Sequence, residues 1–235
     1  TRGQVLSQGG SLVVAYYHST CAGHTESAAA VWPDRGAIDD WSVVCTHCGG
    51  SPSTSWQHSM TLAEVAAAIR RDHPEMNAIT SLQLLGRTGS GRVRGVSLTG
   101  PAGTVMLTGN EFRRFFGYTK VRSTWFDMTR IDGGLQLSGQ GSGHGVGMCQ
   151  WGALGMARRG FTAEQIVKHY YRGVEVTGPE AAEVAVAHRL LVEPPLGSRP
   201  PGLLPPACFR CAFPRLLLRH VPPRRSPLPR PPHPS

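Results

Sequence analysis

The sequence predicts an α+β fold of mixed short strands and helices. Three observations lead there. Short β-branched or aromatic runs alternate with a few strongly capped helices, no regular βαβ alternation emerges, and no internal repeat is visible. With 235 residues, 40% hydrophobic and 17% charged, the chain can bury a sizeable core and is not disordered throughout. Leu12 to Tyr17, bounded by Gly9-Gly10 and a polar loop, reads as the first strand. Thr61 to Arg71 reads as a helix, with Thr61 as N-cap, Glu64 completing a capping box, and Leu62, Val65 and Ile69 on one stripe. Arg92 to Leu98 and Thr104 to Leu107 flank Gly100-Pro101-Ala102-Gly103 as a hairpin. Asn110 is the expected cap of a short helix carrying Phe112, Phe115 and Phe116, which Gly117 stops. Thr162 to Tyr171 repeats the capping pattern with Gln165, and Arg172-Gly173 ends it.

A formal charge of +9 suggests nucleic acid until its distribution is read. Residues 194–235 hold seven Arg, no Lys and no acidic residue, together with fourteen of the nineteen prolines. The other residues carry 17 basic and 15 acidic groups, so the folded part is nearly neutral and presents no basic face for nucleic acid. Proline at that density builds neither helix nor sheet, so 194–235 is expected to be a low-complexity tail, joined through 178–193 to a domain at 1–177. Its Cys208-x-x-Cys211 stands without a second pair and is read as incidental. No apolar run reaches the ~18 residues that span a bilayer. The chain opens on Thr1 with no leader, as an internal cut would.

The segment Gly139-Gln140-Gly141-Ser142-Gly143-His144-Gly145-Val146-Gly147 carries glycine at every second position. It cannot be a helix interior, and it lets a ligand or another part of the chain approach the backbone closely. It is no Walker loop, because no Gly-Lys-Ser/Thr follows, and its spacing misses the dinucleotide fingerprint. An extended platform of this kind would expose its amides and offer His144 as acid, base or hydrogen-bond donor. A second cluster pairs His18-x-x-Cys21 with Cys45-x-x-Cys48. Two short-spaced pairs supply the four soft ligands of a structural zinc site, His18, Cys21, Cys45 and Cys48. A Cys45–Cys48 or Cys21–Cys45 disulfide is the competing reading. Cys149 is read as a small buried residue.

At these residues the chain resembles the SpoIID/LytB family. The likeness runs through Thr1-x-Gly3-Gln4-Val5-Leu6, Tyr17-His18-Ser19-Thr20-Cys21-Ala22-Gly23-His24-Thr25, Val31-Trp32, Ser51-Pro52 with Trp56, Ser90-Gly91-Arg92-Val93 and Arg122-Ser123-Thr124-Trp125-Phe126. It continues through Gly143-His144-Gly145-Val146-Gly147-Met148-Cys149-Gln150-Trp151-Gly152 to His169-Tyr170-Tyr171-x-Gly173. The resemblance implies peptidoglycan as the setting, outside the cytoplasmic membrane. It implies either a lytic transglycosylase that cuts glycan strands in sporulation or wall remodelling, or an enhancer that works beside a cell-wall amidase. A third reading, from the metal cluster alone, is a zinc-stabilised module with no glycan role.

The family's catalytic Glu falls upstream of Thr1, so the catalytic residue is unknown here and this stretch is expected to be inactive. Glu26 is the one carboxylate in a matching motif and is read as a polar loop residue. Some family members bind zinc with His and Cys beside the active cleft, which favours metal over disulfide. His144, Gln150 and Trp151, with Gly143 and Gly145, are then the candidate glycan-binding residues, and Trp151 is as readily a packing residue.

Overall fold

The computed structural model describes residues 3–33 and 41–178. The tail at 194–235, its Cys208 and Cys211, and the connecting segment beyond Gly178 lie outside these residues. In chain order the elements are β1 (Val5–Gln8), β2 (Ser11–Leu12), β3 (Tyr17–His18), α1 (Ala28–Val31), β4 (Trp56–Thr61), α2 (Leu62–Ile69), β5 (Ser81–Arg87) and β6 (Val93–Gly100). There follow β7 (Gly103–Thr108), α3 (Gly109–Phe116), β8 (Phe126–Ile131), β9 (Gly134–Gly139), β10 (Met148–Cys149), α4 (Gln150–Arg158), α5 (Ala163–Tyr170) and β11 (Glu175–Thr177). The mixture is α+β, as the sequence predicts.

Among the described residues, two hydrophobic cores are nested in the sequence. The larger draws its buried members from a single stretch, Trp56 to Leu137, and fills the space among α2, α3 and two antiparallel three-stranded sheets, β4-β9-β8 and β5-β6-β7. The stretch closes on itself because β4 and β9 pair along their whole length, from Trp56↔Gly139 to Thr61↔Gly134. This inner lobe is therefore an insertion whose two ends meet. The smaller core forms from what lies on either side of it. Cys21, Trp41, Val43, Cys45 and Cys48 come from before the insertion, and Cys149, Met156, Ile166, Tyr170, Tyr171 and Val174 from after it. Antiparallel β11-β1-β2 and the parallel pair β10-β3 tie the two halves of this outer lobe together.

The caps show which local signals dominate. Thr61 and Glu64 form the expected capping box, and so do Thr162 and Gln165. The cap of α3 is Thr108 rather than Asn110. Thr108 Oγ1 accepts the Glu111 amide at 3.1 Å while Glu111 Oε2 accepts the Thr108 amide at 2.8 Å, and this reciprocal pair prevails over a lone Asn two residues on. Gly117 ends the helix at φ +83, as expected. The hairpin forms as β6 and β7, with Gly100 opposite Gly103. The expected strand at Leu12 to Tyr17 does not run through. Leu12 pairs with Ser7 in one sheet and Tyr17 with Met148 in another, so the chain changes sheets between them and leaves Val14 62% exposed. Among the described residues, no helix is long and apolar enough to cross a membrane.

Candidate functional site

The glycine segment begins where β9 ends and threads back through the outer lobe to β10. It is not an extended platform. Gly141, Gly143, Gly145 and Gly147 all take positive φ, between +69° and +110°. Two of them show why glycine is needed. A Cβ on Gly147 would stand 2.0 Å from the Tyr16 carbonyl oxygen, and one on Gly145 would stand 2.7 Å from Cζ of the buried Arg92. The close approach is by the protein's own chain. The amides are engaged as well. Gly141 donates to Ser53 O, Ser142 to Thr20 O and Gly143 to Arg122 O, all at 2.8–2.9 Å.

This loop carries His144 into a group of rings. Its imidazole centroid lies 5.0 Å from Trp32 and 5.7 Å from His18, and Trp32 in turn lies 4.9 Å from Tyr16. His144 Nδ1 accepts the Val146 amide at 3.0 Å, which fixes the ring. His18 Nδ1 donates to the Val146 carbonyl at 3.1 Å, and its buried Nε2 has no hydrogen-bond partner. Burial, with Arg92 next in weight, pushes the His18 pKa down to about 3, and burial with Arg113 pushes His144 down to about 4. Both imidazoles are therefore neutral near pH 7, and His144 offers hydrogen bonds and a ring face rather than a cation. Because each folded-state pKa lies below the usual 6.5, the unfolded chain binds protons that the folded chain refuses between pH 6.5 and about 4. The contribution of these two histidines to stability is expected to be level above pH 7 and to fall as pH drops through that window. Urea midpoints measured from pH 7.5 to 4 check this, and an unchanged midpoint would show both rings to be solvated.

Under the loop, a buried polar network replaces the loop role expected of Glu26, which is only 4% exposed. Its carboxylate accepts from the Ser27 amide at 2.9 Å, from Ser90 Oγ at 2.8 Å and from Thr88 Oγ1, while its own amide donates to Gly145 O. Arg92, 1% exposed, donates to the carbonyls of His24 and Cys21 and to Ser90 Oγ. One guanidinium thus ties the cysteine loop to the turn at Ser90 and packs beneath Gly145 of the glycine loop. The sequence placed Arg92 in a matching segment without assigning it a role, and only the fold reveals that it is buried.

The thiols gather beside this network. Cys21, Cys45, Cys48 and Cys149 are all buried and free, with their sulfurs within 4.8 Å of one another, and Cys21 and Cys48 are 3.6 Å apart. The four could hold a metal ion. Three are those expected from the sequence. The fourth place is taken by Cys149, not His18, whose imidazole is turned to Val146 instead. β10 pairs with β3 in parallel, and that pairing brings Cys149 over the turn at Cys21, where Ala22 takes φ +62. Cys149 Sγ accepts the amides of Cys21 and Gly152, both at 3.3 Å, and Cys45 Sγ lies 3.1 Å from Tyr170 Oη. Sharing protons through Cys149 lowers the Cys45 pKa to about 7 and that of Cys48 further, whereas the hydrogen bond with Cys149 pushes Cys21 up.

Of the remaining expected residues, Gln150 is exposed in the first turn of α4. Trp151 is half-buried against the thiol-bearing core, which is the packing alternative. Gly143 and Gly145 serve the loop's own packing, with a Cβ on Gly143 falling 2.6 Å from that of His18.

A family model described as a domain of unknown function (DUF8618) matches residues 50–147, which is the inner lobe together with the glycine loop. Stage II sporulation protein D of Bacillus amyloliquefaciens is 30% identical over 182 residues, covering 75% of this chain and 48% of that protein. An uncharacterised protein of Brachyspira hyodysenteriae is 29% identical over 176 residues, covering 75% and 46%. The amidase enhancer of Bacillus subtilis is 28% identical over 225 residues, covering 75% and 31%. The chain spans at most about half the length of these curated relatives.

Proposed function

From the chain's membership of a SpoIID/LytB-like family, we propose that it serves in the cell wall, outside the cytoplasmic membrane, on the glycan strands of peptidoglycan. The observation that supports this most is His144, a neutral imidazole held beside the rings of Trp32 and His18 by a loop whose glycines admit no side chain. Aromatic faces and uncharged hydrogen-bonding groups suit a sugar, whose hydroxyls and C–H faces need both.

In a lytic transglycosylase a protonated carboxyl must stand at the glycosidic oxygen. Glu26 accepts three hydrogen bonds and is committed to the fold, so among the described residues we assign none as the acid. In this reading His144 holds the strand and the proton comes from elsewhere in the protein. The amidase-enhancer reading is favoured by the relative of that name, and in it the same residues bind wall or amidase without cutting. His144→Ala is expected to reduce co-sedimentation with purified sacculi severalfold while leaving the melting temperature within a few degrees. Release of anhydro-muropeptides would mark the enzyme, and stimulation of an added amidase without such release would mark the enhancer. Full binding by the variant would remove His144 from the site.

The thiol cluster is read as a zinc site. Tetrahedral zinc with Zn–S bonds of about 2.3 Å sets its sulfurs roughly 3.8 Å apart. The Cys21–Cys48 separation of 3.6 Å and the common limit of 4.8 Å fit that donor set. Cys21, Cys45, Cys48 and Cys149 would hold the ion, which would cross-link the two halves of the outer lobe.

A further inference from the structure

The structure assigns a second ligand site to the inner lobe: a cavity of about 220 Å³ at the edge of its core that takes a carboxylate carried on a short apolar group. Two sheet edges frame it. β8 is an outer strand of β4-β9-β8, and β5 is an outer strand of β5-β6-β7. At one end Arg87, the last residue of β5, bridges the two edges. It donates to the Phe126 carbonyl at 3.1 Å and to the Asp127 carboxylate, both at the start of β8. At the other end the first residues of β5 and the later residues of β8 line the cavity instead. Its walls are apolar. Leu82 and Leu135 are buried members of the larger core, and Leu62 and Met128 pack against that core.

Arg130 is the charged member of the lining, and no acidic residue accompanies it. Strand register gives it an unexpected place. Met60, Leu135 and Arg130 are cross-strand partners on one face of β4-β9-β8, and the first two are 3% and 5% exposed. Arg130 thus occupies a core-facing position on an edge strand, where the pattern calls for an apolar side chain. Arg71, Arg87 and Arg114 each pair with an aspartate, whereas Arg130 has no ion-pair or hydrogen-bond partner among the described residues. At the rim Thr80 Oγ1 is committed to the Thr99 carbonyl at 3.1 Å, while the Ser81 hydroxyl has no partner there. A guanidinium beside an apolar wall, with one spare hydroxyl, matches an anion that is apolar behind its charge. The planar fork suits a carboxylate, and its single positive charge balances one negative charge and not two. The cavity is smaller than the roughly 300 Å³ at which sites begin to enclose a whole drug-sized ligand. It therefore admits a chain end or a short acid, not a polymer segment. Two sources share this chemistry: the C-terminus of a peptide with small apolar side chains, and a free short-chain fatty acid. The inference does not depend on the His144 reading.

The test is a calorimetric titration of the full chain with hexanoate and with N-acetyl-alanyl-alanine. Saturable binding of at least one is expected, with a Kd of about 1 mM or tighter, and the tighter binder identifies the source. Hexanamide and the peptide amide, which lack the charge, should bind at least about tenfold more weakly. Arg130→Gln, an exposed change that spares the fold, should weaken the acids by about the same factor, that of a lost charge-assisted hydrogen bond. His144→Ala should leave binding unchanged. No saturation by either acid up to about 10 mM would overturn the site. Equal binding of acid and amide would overturn it as well, and so would an Arg130→Gln variant that binds the acids as the parent does. If that variant keeps acid binding but self-associates in sedimentation, Arg130 only guards the open edge of β8 against pairing, and the proposal fails.

Discussion

Replacing Cys45 with Ser is expected to empty the thiol cluster of metal and to unfold the outer lobe while the inner lobe stays folded. Four of the eleven residues in the smaller core are cysteines, and in the zinc reading the ion would organise that part of its interior. Without the ion, the two halves would be held only by the remaining apolar residues of that core and by the pairings of β1 with β11 and of β3 with β10. The binding free energy of such a site is folding free energy, so a loss of at least about 3 kcal/mol is expected. Elemental analysis should give about one equivalent of zinc in the parent and far less in the variant. Hydrogen exchange should show outer-lobe amides losing protection while those of β5, β6 and β7 keep theirs. A variant that retains its zinc and its melting temperature would sink the assignment, as would a native disulfide at Cys21 or Cys48 found by mass spectrometry.

Gly147→Val is expected to be nearly as damaging, by a different route. The position needs φ +69, which a β-branched residue resists, and its Cβ would sit 2.0 Å from a carbonyl oxygen of the main chain. Backbone strain and overpacking together cost roughly 2–6 kcal/mol. Gly145→Val meets the Arg92 guanidinium instead, a side chain, yet one held by carbonyls on both sides and unable to move away. Both variants should lose sacculus binding along with stability, unlike His144→Ala, which should lose binding alone. If Gly147→Val melts with the parent, the loop is looser than its contacts imply.

How much of this was legible depended on sequence distance. The capping boxes at Thr61 and Thr162 could be read because both partners lie three residues apart, and Thr108–Glu111 was open to the same reading. Cys45-x-x-Cys48 could be read for the same reason. The choice between His18 and Cys149 could not, because it turns on the parallel pairing of β3 with β10, a contact between residues more than a hundred positions apart. The glycine period was visible but its meaning was not. Alternation suggests a strand, whereas the positive φ values come from the neighbours the loop must pass. Glu26 and Arg92 each look like ordinary polar residues until the fold buries them together.

The nested arrangement of the cores has a consequence for the order of assembly. Cys48 and Cys149 are separated by about a hundred residues, and closing a flexible loop of that length costs roughly 4 kcal/mol before any contact offsets it. Once β4 and β9 have paired, Trp56 and Gly139 are neighbours, and the span left to close is only 49–55 and 140–148. That shortens the effective loop to roughly fifteen residues and lowers the entropic cost by nearly 2 kcal/mol. During synthesis, Cys21, Cys45 and Cys48 emerge first, and in the zinc reading they remain an incomplete donor set until the whole inner lobe and then Cys149 have followed. The fourth thiol is thus the last to arrive, and β-sheet pairing well away from the cluster shortens the loop that brings it to the other three.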